Sequence, residues 1–327
     1  MAERKIGRVI YWKDLSSILA IFRLMPQEGS NFPDYKAGQY IALRRDDCKL
    51  TKKINVDGTS RIVPDVDENG KQKFGPVTHS YSISSAPVET KENTYLEFYI
   101  VLEKDNEGYP GRLTESFWHM NLEKDNHITY VDRITGDFTL DKRVGDAENI
   151  IFVGTGTGLA PFASMMKQIQ SDVLAGTPDD HRYTLVHANR TYGELAYHQE
   201  LLAIEASRSF DFLYLPSVSR PTDRDRQDPH LGIGRANNVL RYIFGMPLKE
   251  EADLEIARKE GSDISAAQKV LDRTTRPELP HQFLREEVHR RFTSGNAVML
   301  TCGNPDSMAD IKVIADSNQI RFEKEDW

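Results

Sequence analysis

Residues 150–162 read Ile150-Ile151-Phe152-Val153-Gly154-Thr155-Gly156-Thr157-Gly158-Leu159-Ala160-Pro161-Phe162, an apolar run that breaks into a glycine-rich turn. Glycine permits positive φ angles and close approach of a ligand to the backbone, and Pro161 suits the first turn of a helix. Such a helix start offers unpaired N–H groups and a positive dipole end to a diphosphate. The alternative is a tight strand-to-helix turn, because the G-x-G-x-G spacing lacks the last glycine of the dinucleotide fingerprint.

The sequence after about residue 148 alternates apolar strands with helical segments. The predicted strands are Ile150 to Val153, Thr184 to Ala188, Asp211 to Leu215 and Ala297 to Thr301. This alternation predicts a parallel α/β domain. Residues 246–291 are charged and helix-prone, with apolar residues at helical spacing, and predict a helical insertion that packs on that domain.

The first 140 residues instead show short runs of period-2 alternation separated by turn signals. These runs are Arg8 to Trp12, Ile18 to Leu24, Gln39 to Leu43, Tyr95 to Leu102 and Ile128 to Val131. They predict a small antiparallel β-barrel. Residues 46–78 are polar and rich in turn dipeptides, which predicts a long loop or an added hairpin. We therefore expect two domains, residues 1–143 and 144–327.

Composition limits the chemistry available to the chain. Its 327 residues suffice for two cores. Cys48 and Cys302 are too few for a disulfide framework, a structural zinc site or an iron–sulfur cluster, so any redox cofactor is expected to be organic. No metal site is expected. No apolar h-region follows Met1, and no apolar run approaches the roughly 18 residues of a membrane span. These features predict a cytoplasmic protein.

Charge is distributed unevenly between the two halves. Residues 1–143 carry a net charge of −1 and residues 144–327 a net charge of −7, which argues against a nucleic-acid partner. A local basic stretch in the first half comprises Arg44, Arg45, Lys49, Lys52 and Lys53. It either faces an acidic protein or forms a solvated loop.

Residues 79–87 combine an aromatic ring with four hydroxyls on a strand that ends at a proline. A flavin needs a ring face to stack on and hydroxyl donors for its polar edge, and Tyr81, Ser82 and Ser85 supply these groups. A serine-rich edge strand would have the same composition.

Tyr81-Ser82-x-x-Ser85, followed in a later domain by the Gly154 to Gly158 turn, resembles the ferredoxin–NADP⁺ reductase family over nearly the whole chain. The resemblance implies an antiparallel β-barrel domain that binds FAD and a Rossmann-like parallel-sheet domain that binds NADP(H). Ala37-Gly38-Gln39-Tyr40 resembles the strand that enters the family's flavin site. Gly111-Arg112-Leu113-Thr114 resembles its second flavin motif, in which a helix N-terminus holds the FAD diphosphate.

Three later segments resemble those that contact the phosphates of NADP(H) in the family. They contain Arg190, then Ser219 and Arg220, then Arg235. A guanidinium can bind two phosphate oxygens at once, whereas an NAD enzyme favours an acidic residue for the ribose hydroxyls. We therefore expect a preference for NADPH over NADH. The alternative for each arginine is a surface ion pair.

Cys302-Gly303-Asn304-Pro305 resembles the family's turn after the last long strand, whose cysteine lies near the nicotinamide. The alternative is a small buried residue that only fills space. Two positions depart from the family. His79 replaces an arginine that contacts the flavin diphosphate, and Arg112 or a residue of the 46–78 segment would have to supply that charge. Trp327 stands where an aromatic pair is usual; we expect it to cover the flavin face opposite Tyr81, the alternative being a frayed tail.

The resemblance implies hydride transfer between C4 of NADP(H) and N5 of FAD, with single electrons passing to or from a ferredoxin or flavodoxin. Ser82 would bond near N5, Tyr81 would support one flavin face and Cys302 would lie beside the nicotinamide. A runner-up is a reductase that serves an oxygenase, a haem protein, a quinone or free flavin. A different class is a module that binds FAD or a nucleotide as a sensor, without turnover.

Overall fold

A computed structural model describes residues 3–56, 59–105 and 108–325. The chain divides into two compact units between Asp137 and Phe138. The sequence analysis places this boundary after residue 143. The difference arises because the Phe138 ring packs on Phe162, with ring centroids 5.8 Å apart, and because Leu140–Arg143 forms a short helix. Both features belong to the second unit.

The first unit is built on a six-stranded antiparallel half-barrel sheet. Its strands follow the order β6-β3-β8-β1-β2-β7. The strands of the unit are β1 Arg4–Asp14, β2 Leu19–Met25, β3 Tyr40–Lys49, β4 Thr51–Val56, β5 Thr59–Pro64, β6 Phe74–Ser82, β7 Leu96–Val101 and β8 His127–Thr135. Two short helices complete it, α1 Pro87–Asn93 and α2 Arg112–Trp118. The antiparallel fold predicted for this region is confirmed.

Residues 46–78 form an added hairpin rather than a long loop. Strand β3 continues to Lys49, β4 and β5 pair antiparallel in a separate two-stranded sheet, and β6 begins at Phe74. Polar composition hid these strands, because the hairpin is largely exposed and shows little apolar alternation.

Aromatic rings fill the core of the first unit. Phe22 stacks on Phe98 with centroids 4.9 Å apart and also contacts Phe117 of α2 at 5.7 Å. All three side chains are fully buried. Each ring removes a large apolar surface from water, which accounts for much of the stability of this small sheet.

The second unit is a parallel sheet with helices. Its six strands, in the order β12-β11-β10-β9-β13-β14, are β9 Asn149–Thr155, β10 Arg182–Asn189, β11 Asp211–Val218, β12 Gly232–Ile233, β13 Ala297–Cys302 and β14 Arg321–Lys324. Its helices are α3 Leu140–Arg143, α4 Ala160–Leu174, α5 His198–Ser207, α6 Ala236–Ile243, α7 Lys249–Lys259, α8 Ile264–Arg273, α9 Arg285–Thr293 and α10 Pro305–Ser317. The predicted parallel α/β fold is confirmed.

Burial explains why β9 is a continuous apolar run from Ile150 to Val153. Residues 149–154 of β9 are buried, as are residues 183–189 of β10. Both faces of a parallel sheet are covered when helices pack on each side, so apolar residues predominate in both sets of alternating side chains. Thr184, His187 and Asn189 are the buried polar exceptions in β10. The predicted helical insertion corresponds to α7, α8 and most of α9. In the described residues, no helix is long and apolar enough to cross a membrane.

A buried histidine makes the stability of the second unit sensitive to acid. His187 lies in β10, fully buried, and its Nδ1 is 2.9 Å from the hydroxyl of Tyr214. Its Nε2 is buried without a hydrogen-bond partner among the described residues. Burial, and secondarily nearby His198, lower the pKa of His187 to about 3. The imidazole is therefore neutral in the folded protein throughout the physiological range.

We expect the free energy of unfolding to fall between about pH 6.5 and pH 3. An unfolded chain takes up a proton on His187 below pH 6.5, whereas the folded chain resists protonation until about pH 3. The slope from this group approaches about 1.4 kcal/mol per pH unit. Urea unfolding of His187→Gln should lose that part of the slope. An equal slope in the wild type and the variant would contradict the assignment.

Candidate functional site

The strand order of the second unit places a ligand-binding crevice at one point. From β9 the chain builds outward through β10, β11 and β12, then crosses to the other side of β9 to form β13 and β14. Ligands of open α/β sheets bind outside the carboxyl ends of the strands at such a reversal. Here the reversal brings together the glycine turn after β9 and the Cys302-Gly303-Asn304 turn after β13.

Glycine is required at two positions where these turns touch. A Cβ on Gly158 would lie 2.1 Å from the carbonyl oxygen of Cys302. A Cβ on Gly303, at φ +131°, would lie 2.1 Å from Oγ1 of Thr155. That hydroxyl also accepts a hydrogen bond from the backbone N–H of Asn304 at 3.3 Å. The two turns therefore interlock through backbone contacts that no side chain could enter.

The other residues of the glycine turn have separate roles. Gly154 lets Leu159 and Phe162 pack against the end of β9, since its Cβ would lie 3.1 Å from the Leu159 Cα. Gly156 has φ +56° with open space around it. Residues 156–159, including Thr157, form a 3₁₀ turn that leads into α4. The predicted strand–turn–helix arrangement is present.

A cleft of about 700 Å³ opens beside these turns. Its wall residues come from the strand ends, α6, α7, α8 and α10. The lining includes Thr155, Gly156, Arg190, Ser219, Arg220, Arg235, Lys249, Glu250, Asp253, Val270, Arg273, Thr274 and Thr275. The predicted phosphate residues Arg190, Ser219, Arg220 and Arg235 all line this one cleft.

Backbone hydrogen bonds hold the strand-end loops in register. Ser219 N–H donates to Asn189 O at 2.9 Å, and Arg220 N–H donates to Arg190 O at 2.8 Å. Arg235 precedes α6 as its N-cap residue. The loops after β10 and β11 are therefore hydrogen-bonded to each other, and they carry Arg190 and Arg220 on adjacent segments.

Buried carboxylates hold two of the predicted arginines. Arg190 pairs with Glu194, whose side chain is 5% exposed, and Nε of Arg190 lies 3.0 Å from Oε2. Arg235 Nη1 lies 3.3 Å from Oε1 of Glu250, which is also 5% exposed. Asn238 Nδ2 donates to the second oxygen of Glu250 at 2.8 Å. Each glutamate orients its arginine and partly neutralises it.

Cys302 is fully buried at the end of β13 and forms a hydrogen bond that the sequence analysis missed. Its Sγ donates to Oε2 of Glu325 at 2.8 Å, and Glu325 is 2% exposed. Burial, with the carboxylate of Glu325, raises the pKa of the Cys302 thiol well above its usual value. The thiol therefore keeps its proton and is not a nucleophile.

In the first unit, the flavin-type segment lies on β6 and faces α2. The Tyr81 ring contacts Phe117 of α2 with centroids 5.7 Å apart, and Ser82 is 7% exposed. Burial raises the pKa of Tyr81, so its phenol stays neutral. Burial, and then the positive charge of Arg112, lower the pKa of His79. His79 is therefore neutral at pH 7, and Arg112 supplies the positive charge beside it.

Several of the residues predicted to contact the flavin also make hydrogen bonds or core contacts within the first unit. Ser85 is fully buried, and its Oγ accepts a hydrogen bond from the backbone N–H of Glu97 at 3.0 Å. Leu113 is buried in the core at 1% exposure. Thr114 Oγ1 donates to Gly111 O at 3.1 Å, so it closes the first turn of α2. Trp327 lies outside the described residues.

Carboxylates of the same unit form ion pairs with most of the basic stretch. Arg45 is buried and pairs with both Asp47 and Asp125, each at 2.6 Å. Lys49 Nζ lies 2.6 Å from Oε1 of Glu115. Arg44 pairs with Asp46 at 2.7 Å. This stretch is therefore not the positive surface that its sequence suggests.

Sequence reasoning missed Glu194, Glu250, Lys249, Arg273 and Glu325. Arg190 and Glu194 are four residues apart, but they lie in a bend and a short 3₁₀ turn, where the i,i+4 rule of α-helices does not apply. Nothing in the local sequence links Glu250 to Arg235 or Glu325 to Cys302. Lys249 and Arg273 belong to the helical insertion, whose position only the folded chain reveals.

The family model and the sequence relatives of this chain are all oxidoreductases or flavoproteins by name. Residues 152–252 match the family model of the oxidoreductase NAD-binding domain. The chain is 31% identical to a flavodoxin/ferredoxin–NADP reductase of Rhodobacter capsulatus over 137 residues, 42% of this chain and 43% of that protein. It is 24% identical to a flavohemoprotein of Halalkalibacterium halodurans over 220 residues, 66% of this chain and 44% of that protein.

The fold agrees with these sequence relatives. A crystal structure of a ferredoxin NADP⁺ reductase from Neisseria gonorrhoeae, with bound FAD and NADP, aligns over 99% of both chains with a TM-score of 0.54 and 19% identity. This likeness shows the fold, and the family model with the two sequence relatives supports the resemblance to ferredoxin–NADP⁺ reductases and flavohemoprotein reductases. The chain spans less than half the length of each of the two curated relatives just described.

Proposed function

We propose that this chain is an FAD-dependent oxidoreductase that exchanges reducing equivalents with NADP(H) and passes single electrons to or from a ferredoxin or flavodoxin. The observation that carries the proposal is the cleft at the sheet reversal, where the glycine turn, the Cys302 turn and four predicted phosphate residues meet. The family model over residues 152–252 supports a nicotinamide nucleotide as its ligand.

The cleft fits NADP(H) in size and chemistry. Its volume of about 700 Å³ lies within the usual range for ligand pockets. Gly156 exposes backbone at the helix start, where a diphosphate is favoured. Arg190, Arg220 and Arg235 lie around it, and guanidinium groups bind phosphate oxygens well. Cys302 lies at the end of β13, on the opposite side of β9 from these arginines.

The β6–α2 region fits FAD through different groups. Tyr81 offers a neutral ring, Ser82 offers a hydroxyl, and Arg112 offers a charge for the diphosphate in place of the family arginine that His79 replaces. Because His79 is neutral, we assign the anion-binding role to Arg112. Trp327 as a cover for the flavin remains part of the proposal.

When bound, the two cofactors supply the hydride chemistry. The protein binds and orients them. Ser82 would donate a hydrogen bond toward the flavin edge, and Tyr81 would support one face of the flavin. Cys302 keeps its proton on Sγ and donates a hydrogen bond to Oε2 of Glu325, so this buried pair holds a neutral thiol at the carboxyl end of β13. Both side chains are buried away from solvent.

A second candidate is a reductase that serves a haem protein. The flavohemoprotein relatives favour it, since their name joins flavin and haem and this chain matches under half of their length. The internal pairing of the basic stretch also weakens the argument for an acidic carrier docking there. An oxygenase, a quinone or free flavin as acceptor remains within the same class.

Anaerobic titration of the purified protein with NADPH and NADH tests the proposal. We expect the flavin absorbance at about 450 nm to decrease, and NADPH to be effective at a much lower concentration than NADH. Equal bleaching by both would remove the NADP(H) preference. Bound flavin that neither nucleotide reduces would favour the sensor module instead. Turnover with ferredoxin, flavodoxin and a haem protein in parallel then identifies the acceptor.

A further inference from the structure

The cations that line the nucleotide cleft fall into two groups. Arg190, Arg235 and Lys249 are each paired with a carboxylate, namely Glu194, Glu250 and Asp253. Arg220 and Arg273 differ, because no carboxylate of the described residues lies within ion-pair distance of either guanidinium. An anion that binds this second group breaks no existing ion pair.

The helical insertion supplies one wall of the cleft. Two residues of α8, Val270 and Arg273, line the cleft together with Thr274, which directly follows the helix. Their spacing of i, i+3 and i+4 places them on one face. Val270 is 52% exposed, an apolar surface in an otherwise polar wall. Such a surface suits the flat face of an adenine base.

Hydrogen bonds fix this wall to the strand ends. Thr275 Oγ1 donates to the carbonyl oxygen of Ser219 at 3.0 Å, which joins the end of α8 to the residue before Arg220. Ile233 and Glu278 exchange backbone hydrogen bonds of 2.8 and 2.9 Å. Arg273 and Arg220 are therefore held on neighbouring segments, one at the end of α8 in the insertion and one in the loop after β11.

We propose that Arg273 and Arg220 form the pair that binds the 2′-phosphate of NADP(H), so that the insertion determines the preference between NADP(H) and NADH. The inference rests on the proposed function. In this assignment Arg273, which the sequence analysis did not select, makes the main contact that distinguishes NADP(H) from NADH. Arg190 and Arg235 are already paired with Glu194 and Glu250.

Position along the sheet supports the 2′-phosphate over the diphosphate. The diphosphate is expected at the glycine turn after β9, whereas Arg220 follows β11, two strands away. A phosphate monoester carries close to two negative charges at pH 7, which matches two unpaired guanidinium groups. The exposed Val270, one turn before Arg273, lies where the adenosine would follow.

Binding of 2′-phospho-AMP and of AMP, measured by calorimetry on the full chain, tests the pair without any need for turnover. We expect Arg273→Gln to weaken 2′-phospho-AMP about 10- to 100-fold, the size of a lost charge-assisted contact, and to leave AMP unchanged. Arg273→Lys should retain part of the affinity. The matched control is Arg258→Gln on α7, an exposed arginine outside the cleft lining, which should change neither ligand.

The outcomes separate the inference from the proposed function. Wild-type binding of 2′-phospho-AMP that Arg273→Gln leaves unchanged overturns the inference while the nucleotide site stands. An equal loss of both ligands in Arg273→Gln, with an unchanged melting temperature, also overturns it, because Arg273 would then serve the shared part of the nucleotide. A wild type that binds neither ligand overturns the proposed function as well.

Discussion

Replacing Gly158 with alanine is expected to abolish high-affinity NADPH binding and to destabilise the second unit by about 3 kcal/mol or more. The added Cβ would lie 2.1, 2.3 and 2.5 Å from the carbonyl oxygen and carbon of Cys302 and the nitrogen of Gly303. These are backbone atoms, which no side-chain rotation can move. Either the turn after β9 or the turn after β13 must shift, and both form the cleft. Urea unfolding and NADPH titration measure the two effects.

Gly176→Ala provides the control for the loss of a glycine in the same unit. Gly176 has φ +97°, and no heavy atom lies within 4 Å of an added Cβ. We expect only the cost of a left-handed conformation, about 1 to 2 kcal/mol, with NADPH affinity unchanged. Wild-type stability and affinity in Gly158→Ala would contradict the interlocked turns described above.

Asp310→Ala should destabilise the protein by about 3 to 5 kcal/mol, because it leaves a buried guanidinium without its counter-charge. Arg241 and Asp310 join α6 to α10 with side chains that are 6% and 2% exposed. Arg241 Nε lies 2.9 Å from Oδ2 of Asp310, which also accepts from Nδ2 of Asn237 at 2.8 Å. The hydrogen bond to Asp310 raises the pKa of Arg241 in the wild type. In the variant the charge stays on Arg241, because a guanidinium group is not deprotonated in proteins.

The same substitution at Asp316, on the same helix, is the matched control. Lys312 and Asp316 form an exposed pair at 2.6 Å, with side chains 55% and 58% exposed. Exposed i,i+4 pairs contribute about 0.3 to 0.5 kcal/mol. Equal destabilisation by Asp310→Ala and Asp316→Ala in urea unfolding would refute the role given to the buried pair.

Local sequence predicted the fold where side-chain pattern and backbone geometry agree. The apolar run before Gly154 predicted β9, because a strand covered on both faces favours apolar residues at consecutive positions. Period-2 runs predicted β1, β2, β7 and β8 within a few residues. Exposure removes the pattern in residues 46–78, so the sequence left a loop and a hairpin both open there, and the structure has the β4–β5 hairpin. Nothing in the local sequence shows the aromatic contact that joins Phe138 to Phe162 of the second unit.

The sequence by itself determined the strand–turn–helix at residues 150–162 and the residue types around the cleft, because glycine tolerance, proline at a helix start and strand periodicity are local properties. Only the tertiary structure decided which charges are already paired. Glu250 meets Arg235, Glu325 meets Cys302, and Arg273 reaches the cleft from an inserted helix. Such partners are chosen by the path of the chain through space, and burial then fixes whether a charge is neutralised or left for a ligand.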